Sequence, residues 1–497
     1  MLYFTRDESL RKEINIIMEE DYTRLRSSSL TARKETSRNV YMMLALCASW
    51  GLADSIWTGT LIVAWIFLLS DGSNSAVGYI EAVSGVAAMV AAFPVGYIAD
   101  KYGRSPMIKV AGILFLVATF TTAYAVYYKP AYDFYWLGGS MCLWGIAGTI
   151  FNGPAQALFA DSLQQGDRSL WYSRLFSAWL LPSIIGPITA IVLFQIYGNN
   201  WTFDELRPII LVGLVLEIPV AVLSFFFRDV VELEQEETAE KVSTGTIDDD
   251  DADHKTLMSQ NGLANKGWCG CTAKAVPYIM FLSSILCALG SGMTVKFFPL
   301  FFKGEINMDP ASVQGIYVVV PLTMIIFVQL CQRAGKTFGR VQVMLIVRLF
   351  GVSLLMLMSF FVNSDMKQWY FCVPVYVVRT AIMNATGPLE ESIVMDFVPS
   401  SSRARWKSLD SISTFGWCGS AALGGYLADR YSYAFTFQIT ASLQGASGLI
   451  LLLLLPLVPR RESGISDEHD VVDGQASVNS GSGLFVREDV EEPFLSI

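Results

Sequence analysis

GYIADKYGRSPMI, residues 96–108, places several charged side chains between two long apolar runs. The run before it reads AVGYIEAVSGVAAMVAAFPV, and the run after it reads VAGILFLVATFTTAYAVYY. About 20 apolar residues are enough to cross the hydrocarbon core of a bilayer as an α-helix. The charges therefore indicate a point where the chain returns to water between two membrane-spanning helices.

The same alternation of apolar runs and polar connections extends along the whole chain. Hydrophobic residues make up 53% of the sequence and charged residues 16%, against about 25% charged in a soluble domain. The runs are too long and too uniformly apolar for barrel strands, which alternate over about ten residues. We predict an all-α membrane protein with twelve transmembrane helices, near residues 40–69, 76–98, 106–128, 134–160, 171–197, 208–228, 276–302, 311–332, 341–362, 369–397, 406–428 and 433–457.

The twelve segments divide into six and six around a polar linker. The predicted organisation is an N-terminal tail (1–37), a six-helix bundle (38–228), an acidic linker (229–274), a second six-helix bundle (275–458) and an acidic tail (459–497). The linker and the last tail carry much of the net charge of −10. We expect both to be solvated and to say little about chemistry.

Lysine and arginine predict the orientation of the chain. They concentrate in both tails and in every second connection, and cytosolic loops favour them. Both termini are therefore expected in the cytosol. The membrane is expected to be the plasma membrane or an endomembrane, and we expect no secretory signal peptide. Two modifications stay open: a glycan at Asn200, and palmitoylation of Cys269 and Cys271, for which two unmodified cysteines are the alternative.

The two halves repeat a charged junction between their fourth and fifth segments. Four residues of the first junction recur 235 positions later in the second: Asp161, Arg168, Trp171 and Ser173 correspond to Asp396, Arg403, Trp406 and Ser408. The opening stretch also has a counterpart, AGKTFGRVQVM at 334–344, which lacks the aspartate. Such repeats predict two pseudo-symmetric bundles.

These features resemble the major facilitator superfamily of transporters. GYIADKYGRSPMI is similar to the family pattern Gly-x-Leu-Ala-Asp-Arg-x-Gly-Arg-Lys, with matches at Gly96, Ala99, Asp100, Gly103 and Arg104. The resemblance implies two bundles that rock about a central site lined by the first, fourth, seventh and tenth helices. It also implies that Asp100 latches the bundles together in one state. The candidate gating residues are Gly96, Asp100, Gly103, Arg104, Asp161, Arg168, Asp396 and Arg403.

Ionisable residues inside the apolar segments are candidates for the central site. A charge at the bilayer centre costs roughly 2.5–3.5 kcal/mol, so each one needs a reason. Eight such residues occur: Asp54, Glu81, Glu217, Lys296, Arg348, Arg379, Glu390 and Glu391. The candidate substrate or proton site takes those on the implied cavity helices together with nearby amides, namely Asp54, Asn152, Gln156, Lys296, Arg379, Asn384, Glu390 and Glu391.

Several of these residues have a structural alternative. Asp54 either carries a proton or contacts the substrate, or else holds neighbouring helices by a hydrogen bond. Glu390 or Glu391 either has such a proton or substrate role or helps close the cytosolic side. Arg379 and Glu390 share one helical face about 16 Å apart, too far to pair. A second face holds Asn384 and Glu391.

The remaining polar residues are ambiguous in a different way. Asn152 and Gln156 share one face and either bind solute or join helices. Lys296 either serves the cavity or extends to the membrane surface, and we expect Arg348 to do the latter. Glu217 is expected to be structural.

The preferred function is secondary active transport of a small organic solute by alternating access. Proton coupling would depend on carboxylates, because the two histidines lie in polar segments. Gly186-Pro187 slightly favours antiport, and a facilitative uniporter or a non-transporting sensor or scaffold are the alternatives. We find no sequence pattern of an enzyme and expect no metal or cofactor. The expected partners are a polar, zwitterionic or amphiphilic solute, protons and the lipid bilayer, without nucleic acid, and the expected state is a monomer.

Overall fold

The structure, a computed structural model, describes residues 38–128, 132–163, 168–229, 272–364, 366–398 and 410–459. These residues form helices and, among them, no strand. The first six segments are α1 (Arg38–Leu69), α2 (Asn74–Tyr102), α3 (Arg104–Tyr128), α4 (Asp133–Asp161), α5 (Arg168–Tyr197) and α6 (Phe203–Leu223). The second six are α7 (Val276–Gly292 and Phe298–Gly304), α8 (Pro310–Phe338), α9 (Arg340–Asn363), α10 (Trp369–Ala385 and Gly387–Phe397), α11 (Asp410–Arg430) and α12 (Tyr433–Leu451).

The chain is an all-α membrane protein of two six-helix bundles. Within the described residues, ten helices are long and apolar enough to cross a membrane. The other two segments are α10, which is interrupted at Thr386, and α11, which is rich in glycine, alanine and serine.

The first helix of each bundle is broken near its middle. In α1 a turn at 58–60 separates a helix at 38–57 from Leu61–Leu69, and in α7 a turn and a short 3-10 helix at 293–297 separate the two parts. The breaks begin at residues 58 and 293, which differ by 235, the offset of the junction repeat. The repeat therefore extends to the interior of the bundles.

Two helix-to-helix connections use a glycine in the left-handed region. Gly103 has φ 91° between α2 and α3, and Gly339 has φ 105° between α8 and α9. Glycine adopts this conformation without the steric cost of a side chain, so each helix stops and the next begins within one residue. We call the end of the molecule with these turns the basic end, and the opposite end, with Gly72 and Gly198, the far end.

The apolar core is shared at the far end and separate at the basic end. One cluster contains residues of both bundles, including Trp65 of α1 and Phe301 of α7. A second cluster lies in the first bundle alone and a third in the second bundle alone. The bundles are thus packed together at the far end and held as two separate cores at the basic end.

Candidate functional site between the bundles

An ion pair joins the two bundles through their interior. Lys296 Nζ, in the break of α7, lies 2.9 Å from Glu81 Oε1 of α2. The two side chains are 19% and 16% exposed. The Lys296 ammonium also lies 5.4 Å from the centre of the Trp417 ring of α11, a distance at which a cation is attracted to the ring face.

Asp54 adds a second carboxylate to this centre. It lies on α1, four residues before the break, and interacts electrostatically with both Lys296 and Glu81. Its backbone carbonyl accepts a hydrogen bond from the Thr58 hydroxyl at 3.0 Å. We define the central triad as Asp54, Glu81 and Lys296. Of the two alternatives for Lys296, extension to the membrane surface does not fit the structure, because its charge pairs with Glu81 inside the protein.

Glu217 has a structural contact, as its peripheral helix suggests. It is buried, and its Oε1 accepts a hydrogen bond from Trp57 Nε1 at 3.1 Å. Trp57 is the last residue of α1 before the break. The carboxylate therefore ties that break to α6.

The second bundle holds a polar network of its own. Arg348 of α9 lies 2.6 Å from Glu390 Oε1 and donates to Ser447 Oγ of α12 at 2.5 Å. Only 4% of the Arg348 side chain is exposed. The prediction that Arg348 extends to the membrane surface is therefore wrong, since a partly buried carboxylate and a buried hydroxyl pair with it instead.

Arg379 belongs to the same interior. It is buried, donates to Gln444 Oε1 of α12 at 3.1 Å and lies 5.7 Å from the Phe298 ring centre. The expected single face for Arg379 and Glu390 assumed an unbroken helix, whereas α10 is interrupted at Thr386 between them. They do not form a pair with each other; Glu390 binds Arg348.

Polar contacts seal the far end across the bundles. Asn199, after α5, donates to Asp309 Oδ1 at 2.8 Å and accepts from the Ala311 amide at 2.9 Å. The Trp201 indole donates to the Met308 carbonyl at 2.8 Å. The structure is therefore closed at this end, on the far side of the central triad.

Comparison with known proteins decides the family. The model of the Major Facilitator Superfamily matches residues 24–274 and 280–492. The chain belongs to this superfamily. Membership points to a membrane transporter rather than an enzyme.

Relatives within the superfamily are distant. The uncharacterized MFS-type transporter YcaD of Escherichia fergusonii is 24% identical over 201 residues, which cover 39% of this chain and 50% of that protein. The match thus spans half the length of this relative.

Solved structures of the superfamily show the same fold. The inward open xylose transporter XylE from E. coli has a TM-score of 0.61 at 13% identity, covering 88% of this chain and 99% of that one. A POT family transporter in complex with 5-aminolevulinic acid has a TM-score of 0.60 at 11% identity, covering 86% and 97%. The nucleoside transporter NupG has a TM-score of 0.58 at 12% identity, covering 83% and 98%.

The amides predicted to line the superfamily cavity do not join the triad. Asn152 and Gln156 of α4 are exposed, as are Asn384 and Glu391 of α10. Asn384 Nδ2 donates to the Thr380 carbonyl at 2.8 Å.

The superfamily signature at the basic end is described in part. Gly103 makes the predicted tight turn, and Arg104 begins α3. The structure does not describe the side chains of Asp100, Asp161 and Arg168 or the surroundings of Gly96. Also outside the described residues are Arg403, Trp406, Ser408, Cys269 and Cys271.

Two aspartates organise the basic end. Asp396 lies 2.7 Å from Arg340 Nη1, which pairs the second junction with the α8–α9 turn. Asp229 Oδ1 accepts from the Arg104 and Ser105 amides at 3.0 and 2.8 Å. We expected the acidic linker that begins at Asp229 to be solvated. For Asp229 this is wrong, since its carboxylate caps α3.

Sequence reasoning missed two of these partners. Glu81 stood out as an interior charge but lay off the helices implied to surround the cavity. Asp229 stood at the edge of an acidic run. The signal for Glu81 was its position on α2, one of the helices that meets the other bundle.

Proposed function

We propose that the chain is a secondary active transporter of a small organic solute that works by alternating access and couples transport to protons. The observation that carries the proposal is the Lys296–Glu81 pair, which joins the bundles at 2.9 Å beside Asp54. A charge pair between two moving bodies makes their relative position depend on what binds there.

The orientation supports this function. The excess of lysine and arginine at the basic end favours a cytosolic location for that end. On this assignment, both tails are cytosolic, the structure is closed to the outside, and its bundles separate toward the cytosol.

Protons enter the proposal through the triad. Protonation of Glu81 or Asp54 removes a negative charge from beside Lys296 and weakens the attraction between the bundles. A solute that competes for the same charges would then alternate with protons, as in antiport. Gly186 lets α5 approach Ser55 of α1, the residue after Asp54.

The test uses purified protein in liposomes. A metabolite comparison of cells with and without the protein supplies the candidate solute. We expect its flux to follow an imposed pH gradient and to fall at least tenfold in Glu81→Gln and Asp54→Asn. Asp204→Asn, at an exposed carboxylate in the first turn of α6, is the matched control and should keep wild-type flux.

Two results would contradict the proposal. Flux that does not respond to the pH gradient would contradict proton coupling and favour a facilitative uniporter. No flux of any tested solute, with a retained binding partner, would favour the sensor or scaffold.

A further inference from the structure

One short stretch occurs twice, at opposite ends of the molecule. Residues 96–102 read GYIADKY and residues 425–431 read GYLADRY, with five of seven positions identical. The first stretch ends α2 at the basic end, and the second runs through the end of α11 at the far end. The two helices pack against each other across the bundle interface.

Asp429, the aspartate of the second copy, binds the first residues of α2. Its Oδ1 accepts from the Asn74 amide and from Asn74 Nδ2, each at 2.9 Å. Its Oδ2 accepts from the Ser75 amide at 2.7 Å and from Ser73 Oγ at 3.1 Å. One carboxylate thus accepts four hydrogen bonds from the other bundle.

The chemistry of a helix start explains this concentration of bonds. The first amides of a helix have no partner within the helix, and the helix dipole places partial positive charge there. A carboxylate satisfies both needs with charge-assisted hydrogen bonds, which are stronger than neutral ones. Because the donors and the acceptor belong to different bundles, the bonds exist only while the far end is closed.

Glycine makes the approach possible. A Cβ at Gly425, the first residue of the second copy, would fall on the backbone carbonyl of Asn74. Tyr433, two residues beyond that copy, adds a hydrogen bond at 2.8 Å from its hydroxyl to Asn74 Oδ1. The glycine, the aspartate and this tyrosine all converge on the start of α2.

We propose that the second copy, GYLADRY, is a latch at the far end of the α2–α11 pair, the counterpart of the latch that the family resemblance implies for Asp100. Asp429 on the start of α2 holds the far end closed in the state described here. By the family resemblance, Asp100 in the first copy latches the basic end in the opposite state. The two latches are mutually exclusive, so each one counterbalances the other; this step rests on the alternating access proposed above.

The test measures distances between spin labels at both ends. Labels at Thr202 and Gln368 report the far end, and labels at Phe226 and Phe338 report the basic end; all four side chains are exposed. The eight native cysteines are first replaced. We expect Asp429→Asn to lower the ratio of far-end-closed to far-end-open molecules at least fivefold, and Asp100→Asn to raise it.

Further variants keep the result interpretable if Asp429→Asn folds poorly. Asn74→Ala removes the side-chain donor and the Tyr433 partner but keeps the amide, so it should shift the ratio in the same direction by less. Asp204→Asn, an exposed far-end carboxylate, should leave both distances unchanged.

The outcomes separate this inference from the proposed function. Wild-type distances at both ends in Asp429→Asn and Asn74→Ala would overturn the latch. A wider far end without a narrower basic end would support the latch and contradict alternating access.

Discussion

Lys296 of α7 lies 2.9 Å from Glu81 of α2, so the interior charge of one bundle is neutralised by the other. The pair lies at the break of α7, where regular helix stops at Gly292 and resumes at Phe298. A charged side chain in lipid is expensive, and here each charge depends on the bundles staying together. Closure of the far end and pairing of these interior charges therefore depend on each other.

The first prediction concerns this pair. Glu81→Gln or Lys296→Gln leaves one partly buried charge without its closest partner, which costs up to about 3 kcal/mol. The double variant removes both charges and should melt closer to wild type than either single variant. Thermal unfolding of the purified protein in detergent gives the comparison. Additive effects of the two single changes would show that the residues do not stabilise each other.

The second prediction separates two adjacent glutamates of α10. Glu390 pairs with buried Arg348 at 2.6 Å, whereas Glu391 is exposed. Glu390→Gln should lower the melting temperature by several degrees, because Arg348 loses its counter-charge. Glu391→Gln makes the same change at the neighbouring exposed carboxylate and should lower the melting temperature less. Equal losses in the two variants would contradict the assigned pair.

Much of the fold follows from the sequence. The length of each apolar segment can be read from that segment alone, and the repeat can be read by comparing the two halves. Side-chain partners on different helices do not follow, since they depend on how the helices rotate and where they break. Arg348 shows this: its position near a helix end suggested the membrane surface, but the interruption of α10 brings Glu390 to it. Asp429 is a second example. Its place at the end of α11, beside a loop, does not indicate that its carboxylate binds the start of α2.

The third prediction tests Glu217 as a structural residue. Its carboxylate accepts the Trp57 indole hydrogen at 3.1 Å in a buried setting. Glu217→Gln keeps an oxygen acceptor and should remain near wild-type stability. Glu217→Leu leaves the indole without an acceptor, which costs about 1–3 kcal/mol. Thermal unfolding distinguishes them, and a glutamine variant as unstable as the leucine variant would indicate that the charge itself matters.

The fourth prediction concerns pH at the far end. Asp309 lies in the α7–α8 connection; burial raises the pKa of its carboxyl, but hydrogen bonds from Ser312 and Asn199 outweigh this and hold the pKa below its ordinary value of 3.8. A depressed carboxyl pKa stabilises the folded state above the unfolded pKa, and the effect is lost as pH falls through the folded pKa. The Asn199–Asp309 contact should therefore persist from pH 8 to pH 5.

Spin-label distances at Thr202 and Gln368 check this. Asp309→Asn should weaken far-end closure equally at pH 8 and pH 5. The prediction would be contradicted if far-end closure in wild type weakened between pH 8 and pH 5 and this pH dependence disappeared in Asp309→Asn. The pH dependence would then belong to Asp309.

The last prediction uses two glycines of α11. An added Cβ at Gly425 would overlap the Asn74 backbone, while one at Gly419 would make only ordinary contact, 3.7 Å from the Phe415 ring. Backbone cannot rotate away as a side chain can, so Gly425→Ala must push α2 and α11 apart at the far end. We expect the closed population to fall at least tenfold, measured by cross-linking cysteines placed at Thr202 and Gln368. Gly419→Ala changes the same helix by the same methyl group and should cross-link like wild type. Equal cross-linking in both variants would mean that the far end closes without the close approach at Asn74.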